Sequence, residues 1–315
     1  MGHLCWHKPR LVVLGPKIGA LPDDHPSKAL CLEGLSQLFG LVGNFTEQKR
    51  LLTHSLKLWR EQGGDFEAAH ILKPLSDTNM QMGLYMEGIQ AAKEASEIFE
   101  RFGDTANQAA SLIHLSSSLL IDGQPDAAEE AATHAIELLP EKGQEFDICH
   151  GHRSLGNIYR AKGNAEKAIH HFEIALEIAS SYNWHDQLFR IHLSLAQLFS
   201  GEGRLDDAHT HVERARSHAV NEPYNLALAS LLQATLWEKQ DMLEDAKSEA
   251  SHALELFEKL GATESAEETR QLFEKIKGSA RGTSDKSNVD GKLVETAQPV
   301  VCTDFPCPDK IGGSE

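Results

Sequence analysis

The chain has 315 residues, of which 41% are hydrophobic, and this is enough for one extended core or two smaller ones. Asp and Glu number 47 against 30 Lys and Arg, so the formal net charge is −17. This charge argues against a general attraction to nucleic acid or to an anionic membrane surface and favours protein partners.

The N-terminal segment, residues 1–28, has an apolar run that extends only from Leu11 to Leu14. Such a run is too short for the core of a signal peptide or for a membrane span. The five cysteines of the chain form no CxxC pair, which is typical of compartments where glutathione keeps thiols reduced. We therefore expect a cytoplasmic protein, with residues 1–28 forming either a poorly ordered leader or the remnant of an earlier helix.

From residue 29 onward the sequence repeats itself with a period of about 40 residues, which indicates a repeat architecture. One position of the repeat holds glycine in five copies and aspartate in the sixth: Gly43, Gly83, Gly123, Gly163, Gly203 and Asp241. A second position carries only small side chains: Ser55, Ala95, Ala135, Ala175, Ala215 and Ala253. Small side chains let two helix backbones approach closely, so the second position marks where two helices cross.

Each copy of the repeat is predicted to be a hairpin of two helices. In the fourth copy, apolar residues recur at helical spacing on both sides of Gly163: Leu155, Ile158 and Tyr159 before it, and Ala168, Ile169, Phe172 and Leu176 after it. Gly163 is suited to the left-handed conformation that ends a helix. The six hairpins are predicted to begin near residues 29, 69, 109, 149, 189 and 227.

The C-terminal part of the chain divides into a helix and a tail. Residues 262–277 are predicted to form a capping helix, since Glu and Lys cover its outer side and a stack of repeats needs a polar end. Residues 278–315 are rich in Gly, Ser, Asp and Pro without a sustained period, so they are predicted to be a disordered tail. The predicted solenoid therefore spans residues 29–277.

The fourth copy also carries a recognisable signature. Its residues match Leu-Gly-x-x-Tyr followed by Ala-x-x-x-Phe-x-x-Ala at Leu155, Gly156, Tyr159, Ala168, Phe172 and Ala175. The chain thus resembles tetratricopeptide repeat proteins, although His152 stands where the motif prefers Trp. The resemblance implies an all-α fold, a right-handed α-solenoid of about six helical hairpins with a C-terminal capping helix.

A finer resemblance concerns the length of the repeat. A period of about 40 residues is similar to that of the MalT-like tetratricopeptide region, which in its family forms the C-terminal sensor of STAND signalling NTPases. Segments such as EGIQAAKEASEIFERFGD further resemble helical arrays of basidiomycete fungal proteins, some joined to NACHT or NB-ARC domains. The chain has no GxxxxGK[ST] motif, so this resemblance implies a stand-alone or truncated sensor of such an NTPase.

The resemblance also implies a function and a site. Tetratricopeptide arrays bind a peptide or protein in a concave groove lined by the first helix of each hairpin. In this chain the family register places seven residues there: Lys73, Asp77, Arg153, Asn157, Arg160, Arg190 and Gln197. His150 lies one turn before Arg153 and is expected to join them. The arginines would form a positive patch that binds carboxylates of a partner, or they would be a solvated face without a ligand.

A carboxylate-clamp co-chaperone is a less favoured alternative. Arg153 and Asn157 match the basic-x-x-x-Asn start of such a clamp, but the later basic positions fall near Ser194, Leu228 and Leu232, which carry no charge.

Neither a catalytic nor a metal site is predicted, and no cofactor is expected. The histidine pairs His150 and His152, His170 and His171, and His209 and His211 are one or two residues apart. Ligands on one helix face need a spacing of three or four residues. No GxSxG or HExxH motif is present, so the chain is predicted not to be an enzyme.

Overall fold

The computed structural model describes residues 21–22, 25, 27–41, 43–140, 142–219 and 222–285, and these residues form helices without any β-strand. Most of the predicted leader and the tail beyond residue 285 lie outside the described residues. The helices of the described part are, in chain order, α1 (Lys28–Leu41), α2 (Phe45–Glu61), α3 (Asp65–Gln81), α4 (Tyr85–Phe102), α5 (Thr105–Ile121), α6 (Pro125–Leu138), α7 (Glu145–Ala161), α8 (Ala165–Ser181), α9 (His185–Gly201), α10 (Leu205–His218), α11 (Pro223–Lys239), α12 (Leu243–Leu260) and α13 (Thr263–Asp285).

The chain divides into two compact units after Asn164. Helices α1 to α7 belong to the first unit, and helices α8 to α13 belong to the second. Within each unit, every helix contacts the next one along the chain. The first helices of successive hairpins also touch, namely α3 with α5 and α5 with α7 in the first unit, and α9 with α11 in the second. These are the contacts of stacked helical hairpins, and they confirm the predicted all-α solenoid fold.

The turns inside the hairpins have the predicted conformation. Gly163 has φ of 72°, and the backbone N–H of Asn164 donates to the carbonyl oxygen of Tyr159 at 2.8 Å. This hydrogen bond satisfies a carbonyl that the end of α7 would leave without a partner. Asp241, which replaces glycine in the sixth copy, has φ of 60° and therefore adopts the same left-handed conformation.

The small residues of the repeat lie where helices cross. All six members of the predicted crossing position, from Ser55 to Ala253, are 0% exposed. Ser55 also uses its hydroxyl, which donates to the carbonyl oxygen of Ala29 on α1 at 2.9 Å. Gly88 on α4 shows how close such an approach is, since a Cβ atom there would lie 2.6 Å from the sulfur of Met80. Larger side chains would force these helices apart.

The core of each unit lies between its helices. In the first unit, Phe99 of α4 is fully buried, and the ring of Phe66 on α3 meets it edge-on at 5.5 Å between centroids. In the second unit, Phe257 of α12 is fully buried and contacts the ring of Tyr224 at 5.3 Å. Ile276 of α13 is buried against α11 and α12, so α13 covers the apolar face of the last hairpin.

Helix boundaries differ from those read from the sequence. The first helices of the second to fourth hairpins begin at Asp65, Thr105 and Glu145, four residues before the predicted starts near 69, 109 and 149. Each of these helices starts with a polar residue, which carries no apolar signal. Helix α13 continues past residue 277 to Asp285, because Gly278 lowers helix propensity without removing a backbone hydrogen bond.

Candidate interaction faces

The first helices of the first unit lie side by side and are joined by hydroxyl groups. The Oγ atoms of Ser76 on α3 and Ser118 on α5 are 3.4 Å apart. The Oγ atoms of Ser116 on α5 and Ser154 on α7 are 2.8 Å apart. Ser76, Ser116 and Ser154 are almost completely buried. Because these serine side chains are small, α3, α5 and α7 pack closely. Other side chains of the three helices then form rows that run from one helix to the next.

One of these rows contains three of the predicted groove residues. The Nζ atom of Lys73 on α3 donates to Asn107 Oδ1 on α5 at 2.9 Å. One turn further along α3, Asp77 Oδ1 lies 2.8 Å from Nδ1 of His114 on α5. The His114 ring then meets the ring of His150 on α7 edge-on, at 5.7 Å between centroids. We call Lys73, Asp77, Asn107, His114 and His150 the polar row.

The sequence missed two members of the polar row. Asn107 and His114 are on the first helix of the third hairpin, for which the family register gave no groove residue. Each of them contacts a residue that lies 34 or 37 positions earlier in the chain, not one full period earlier. The sequence shows that α5 contains polar residues, but their position in the repeat did not identify them as groove residues.

Asp77 is more deeply placed than a surface carboxylate. Its side chain is 6% exposed, and the structure shows no hydrogen-bond partner for its Oδ2 atom among the described residues. A buried acceptor without a partner costs roughly 1–3 kcal/mol. The same helix contains Pro74, whose carbonyl oxygen accepts from the Thr78 hydroxyl at 2.7 Å. Helix α3 therefore carries more buried polar groups than packing requires.

The predicted arginines differ in accessibility. Arg153 on α7 is 2% exposed and lies near Cys149, the pKa of which burial raises to about 12 although the positive charge of Arg153 opposes the rise. Arg160, two turns further along α7, is partly exposed, as is Asn157. Of the two arginines on this helix, Arg160 is therefore the one that a partner in solution reaches.

The remaining two predicted residues belong to the second unit. Arg190 on α9 is 13% exposed, and its Nε atom donates to Asp186 Oδ2 at 3.0 Å. Gln197 on the same helix is partly exposed. Their neighbours on α9 and α11 include Ser194 and Leu228, so no cation stands at the later positions of a carboxylate clamp. The Nζ atom of Lys239 instead donates to Ser200 Oγ at 2.8 Å and links α11 to α9.

The fold and these faces define an α-helical repeat protein whose first helices carry polar side chains. The family model of the tetratricopeptide repeat matches residues 67–141 and 147–219. These two segments are therefore similar to tetratricopeptide repeats, which generally serve as interaction modules.

Several solved structures share the fold at low sequence identity. A Rap protein complexed with competence and sporulation factor has a TM-score of 0.61 and 17% identity, over 87% of this chain and 81% of that chain. The apo quorum sensor NprR from B. thuringiensis has a TM-score of 0.54 and 16% identity, over 85% and 81%. The apo form of RapI has a TM-score of 0.52 and 14% identity, over 81% and 99%. At these identities the likeness is one of fold. No curated protein matches the chain by sequence.

Within the described ranges, every helix is too short or too polar to span a lipid bilayer.

Proposed function

We propose that the chain is a non-enzymatic interaction protein, and that it binds a peptide or protein segment on the first-helix face of its first unit. The polar row carries this proposal. It places a cation, a carboxylate and two imidazoles on three adjacent helices. Similar folds support the proposal, since one of them is a complex with competence and sporulation factor and another is a quorum sensor.

The charges of this face suggest which groups a ligand presents. Arg160 offers the planar fork that binds a carboxylate through two hydrogen bonds. Lys73 adds a second cation one turn from the Asp77 carboxylate. The face therefore suits a segment that carries both a carboxylate and hydrogen-bond donors. Arg153 contributes by packing, since its side chain is nearly inaccessible.

The thiol of Cys149 is buried and is not a candidate nucleophile. A thiol nucleophile acts as a thiolate, and its pKa must lie near or below the ambient pH. Burial holds the pKa of Cys149 at about 12, so this thiol stays protonated and inert.

The test compares two charge reversals of the same residue type. Arg160→Glu changes the proposed face, whereas Arg101→Glu changes an arginine of α4 whose side chain is 64% exposed. Partners captured by the wild-type chain from native lysate are identified, and their dissociation constants are then measured with purified proteins. We expect Arg160→Glu to weaken binding by on the order of tenfold or more, and Arg101→Glu to leave it unchanged. Equal binding by the two variants would show that another surface is used.

The resemblance to MalT-like sensor arrays favours a second candidate function, the ligand-sensing part of a cytoplasmic STAND-type NTPase. In that case the NTPase activity resides in residues outside this sequence, because the sequence has no P-loop motif. Sequencing the full transcript tests this candidate. A P-loop reading frame joined to residue 1 would support it, and a stop codon directly upstream would oppose it.

A further inference from the structure

Helices α9 and α10 of the second unit bring four histidines together as two pairs. Nδ1 of His185 lies 3.1 Å from Nδ1 of His218, and Nδ1 of His192 lies 3.0 Å from Nδ1 of His211. The rings of His192 and His218 stack at 5.8 Å with 10° between their planes. Each pair takes one residue from each helix, so a search for ligand spacing along a single helix does not find them.

Two imidazole nitrogens at this distance share a single proton. One ring donates its N–H and the other ring accepts the hydrogen bond. If both nitrogens carried a proton, both would be donors and no hydrogen bond could form between them. A metal ion can replace that shared proton. With Zn–N bonds of about 2.0–2.1 Å and a tetrahedral angle, two ligand nitrogens are about 3.3–3.4 Å apart. The pairs would need to open by only about 0.3 Å to meet this geometry.

The two pairs differ in their surroundings. His192 is 7% exposed, so a metal ion at the His192–His211 pair would have little access to water, and the charges of Arg214, Asp207 and Arg204 act on this pair. His185 is exposed and His218 is partly exposed, which leaves room for water in the coordination sphere. Since α9 begins and α10 ends beside this pair, the opposite ends of their helix dipoles offset each other.

The His185–His218 pair places two ring nitrogens side by side, and a neutral imidazole is the form that binds a metal ion. Among the described residues, no group of three or more His, Cys, Asp or Glu side chains is arranged to hold a metal ion. Water molecules must therefore supply the remaining ligands.

We propose that His185 and His218 form a two-histidine site for a divalent transition metal ion, with Zn²⁺ as the ion that its nitrogen ligands and water-accessible position fit. Imidazole is a preferred ligand of Zn²⁺, and sites that bind it for chemistry or exchange keep open positions for water. A site with two protein ligands binds its ion reversibly.

The experiment measures Zn²⁺ binding to the full chain at neutral pH by equilibrium dialysis. The variants are His185→Gln and His218→Gln, and the control is the double variant His170→Gln, His171→Gln, which removes an adjacent pair on α8. We expect the wild-type chain and the control to bind one more Zn²⁺ ion per chain than either single variant binds. Loss of a group outside the coordination shell already costs roughly 10–100-fold in metal affinity, so loss of one of two ligands should cost at least as much.

Two results would overturn the proposal. One is equal Zn²⁺ binding by wild type and both single variants. The other is loss of the bound Zn²⁺ ion in His192→Gln but not in His185→Gln. That result would assign the ion to the His192–His211 pair. Circular dichroism confirms that each variant is folded. His185 is exposed in the first turn of α9, so His185→Gln keeps the test decisive if His218→Gln is unstable.

Discussion

Asp77 of the second hairpin accepts a hydrogen bond from His114 of the third, with 2.8 Å between Asp77 Oδ1 and His114 Nδ1. This contact joins two first helices through side chains that are largely withdrawn from water, 6% and 17% exposed. Hydrogen bonds between charged and polar groups in such places are stronger than those on the surface. The contact is therefore expected to stabilise the first unit as well as to shape its interaction face.

Replacing Asp77 with Ala tests the structural part of this role. The change removes an acceptor of His114, and we expect the free energy of unfolding to fall by about 1–3 kcal/mol in urea titrations. The control is Asp65→Ala, since Asp65 is exposed and lies 3.9 Å from Arg101, where an ion pair is worth about 0–1 kcal/mol. A double-mutant cycle with His114→Ala should show a coupling of about 0.5–3 kcal/mol. Additive effects of the two changes would mean that the pair does not interact.

The turn glycine Gly163 and the helical glycine Gly34 should respond in opposite directions to alanine. Gly163 has φ of 72°, and the left-handed conformation costs an alanine roughly 1–2 kcal/mol, so Gly163→Ala should destabilise the chain. Gly34 lies inside α1, and a Cβ atom there would meet nothing within 4 Å. Gly34→Ala should therefore stabilise the chain by up to about 1 kcal/mol. Urea unfolding measures both, and a Gly163→Ala variant at least as stable as wild type would contradict the assignment of Gly163 as a turn residue.

The sequence predicted the structure well at positions where the backbone favours one kind of residue. A left-handed turn demands glycine, and a close helix crossing demands a small residue, so Gly163 and Ala175 located the hairpins directly. Helix starts such as Asp65 were placed too late, because a polar first residue carries no apolar signal. The fold class was thus predictable, whereas the boundaries were less so.

The candidate site was harder to predict, because side-chain contacts between helices depend on how adjacent helices pack against each other. Arg153 and Arg160 share a helix and a residue type, yet only Arg160 is appreciably exposed. His185 and His218 are 33 residues apart, and no spacing rule along a helix relates them. Their distance follows from the packing of α9 on α10, which is a property of the folded chain.

The thiol of Cys149 should be unreactive in the native protein. Its pKa is raised to about 12 by burial, so at about pH 8 the thiolate fraction is on the order of 1 in 10⁴. Alkylation with iodoacetamide, followed by mass spectrometry of the digested chain, should show Cys149 modified only after denaturation. Cys31, which is partly exposed, is the internal comparison. Modification of the two residues at similar rates in the native state would contradict the buried position of Cys149.

The stability of the second unit should depend on pH through His192. Burial, together with the nearby His211, His218 and Arg214, lowers the pKa of His192 to about 3. A histidine that has a pKa of about 6.5 in the unfolded chain and a lower one in the folded chain binds its proton more readily when unfolded. Its stabilising contribution is therefore complete above about pH 6.5 and is lost as the pH falls toward about 3.

Between about pH 6.5 and about pH 5, this loss amounts to about 2 kcal/mol for His192 alone, and the lowered pKa of His211 adds to it. Urea unfolding of wild type, His192→Gln and His170→Gln at several pH values measures the loss. His192→Gln should flatten the pH dependence over this range, whereas His170→Gln, an exposed residue of α8, should leave it as in wild type. An identical slope in wild type and His192→Gln would show that the buried imidazole does not govern the response to acid.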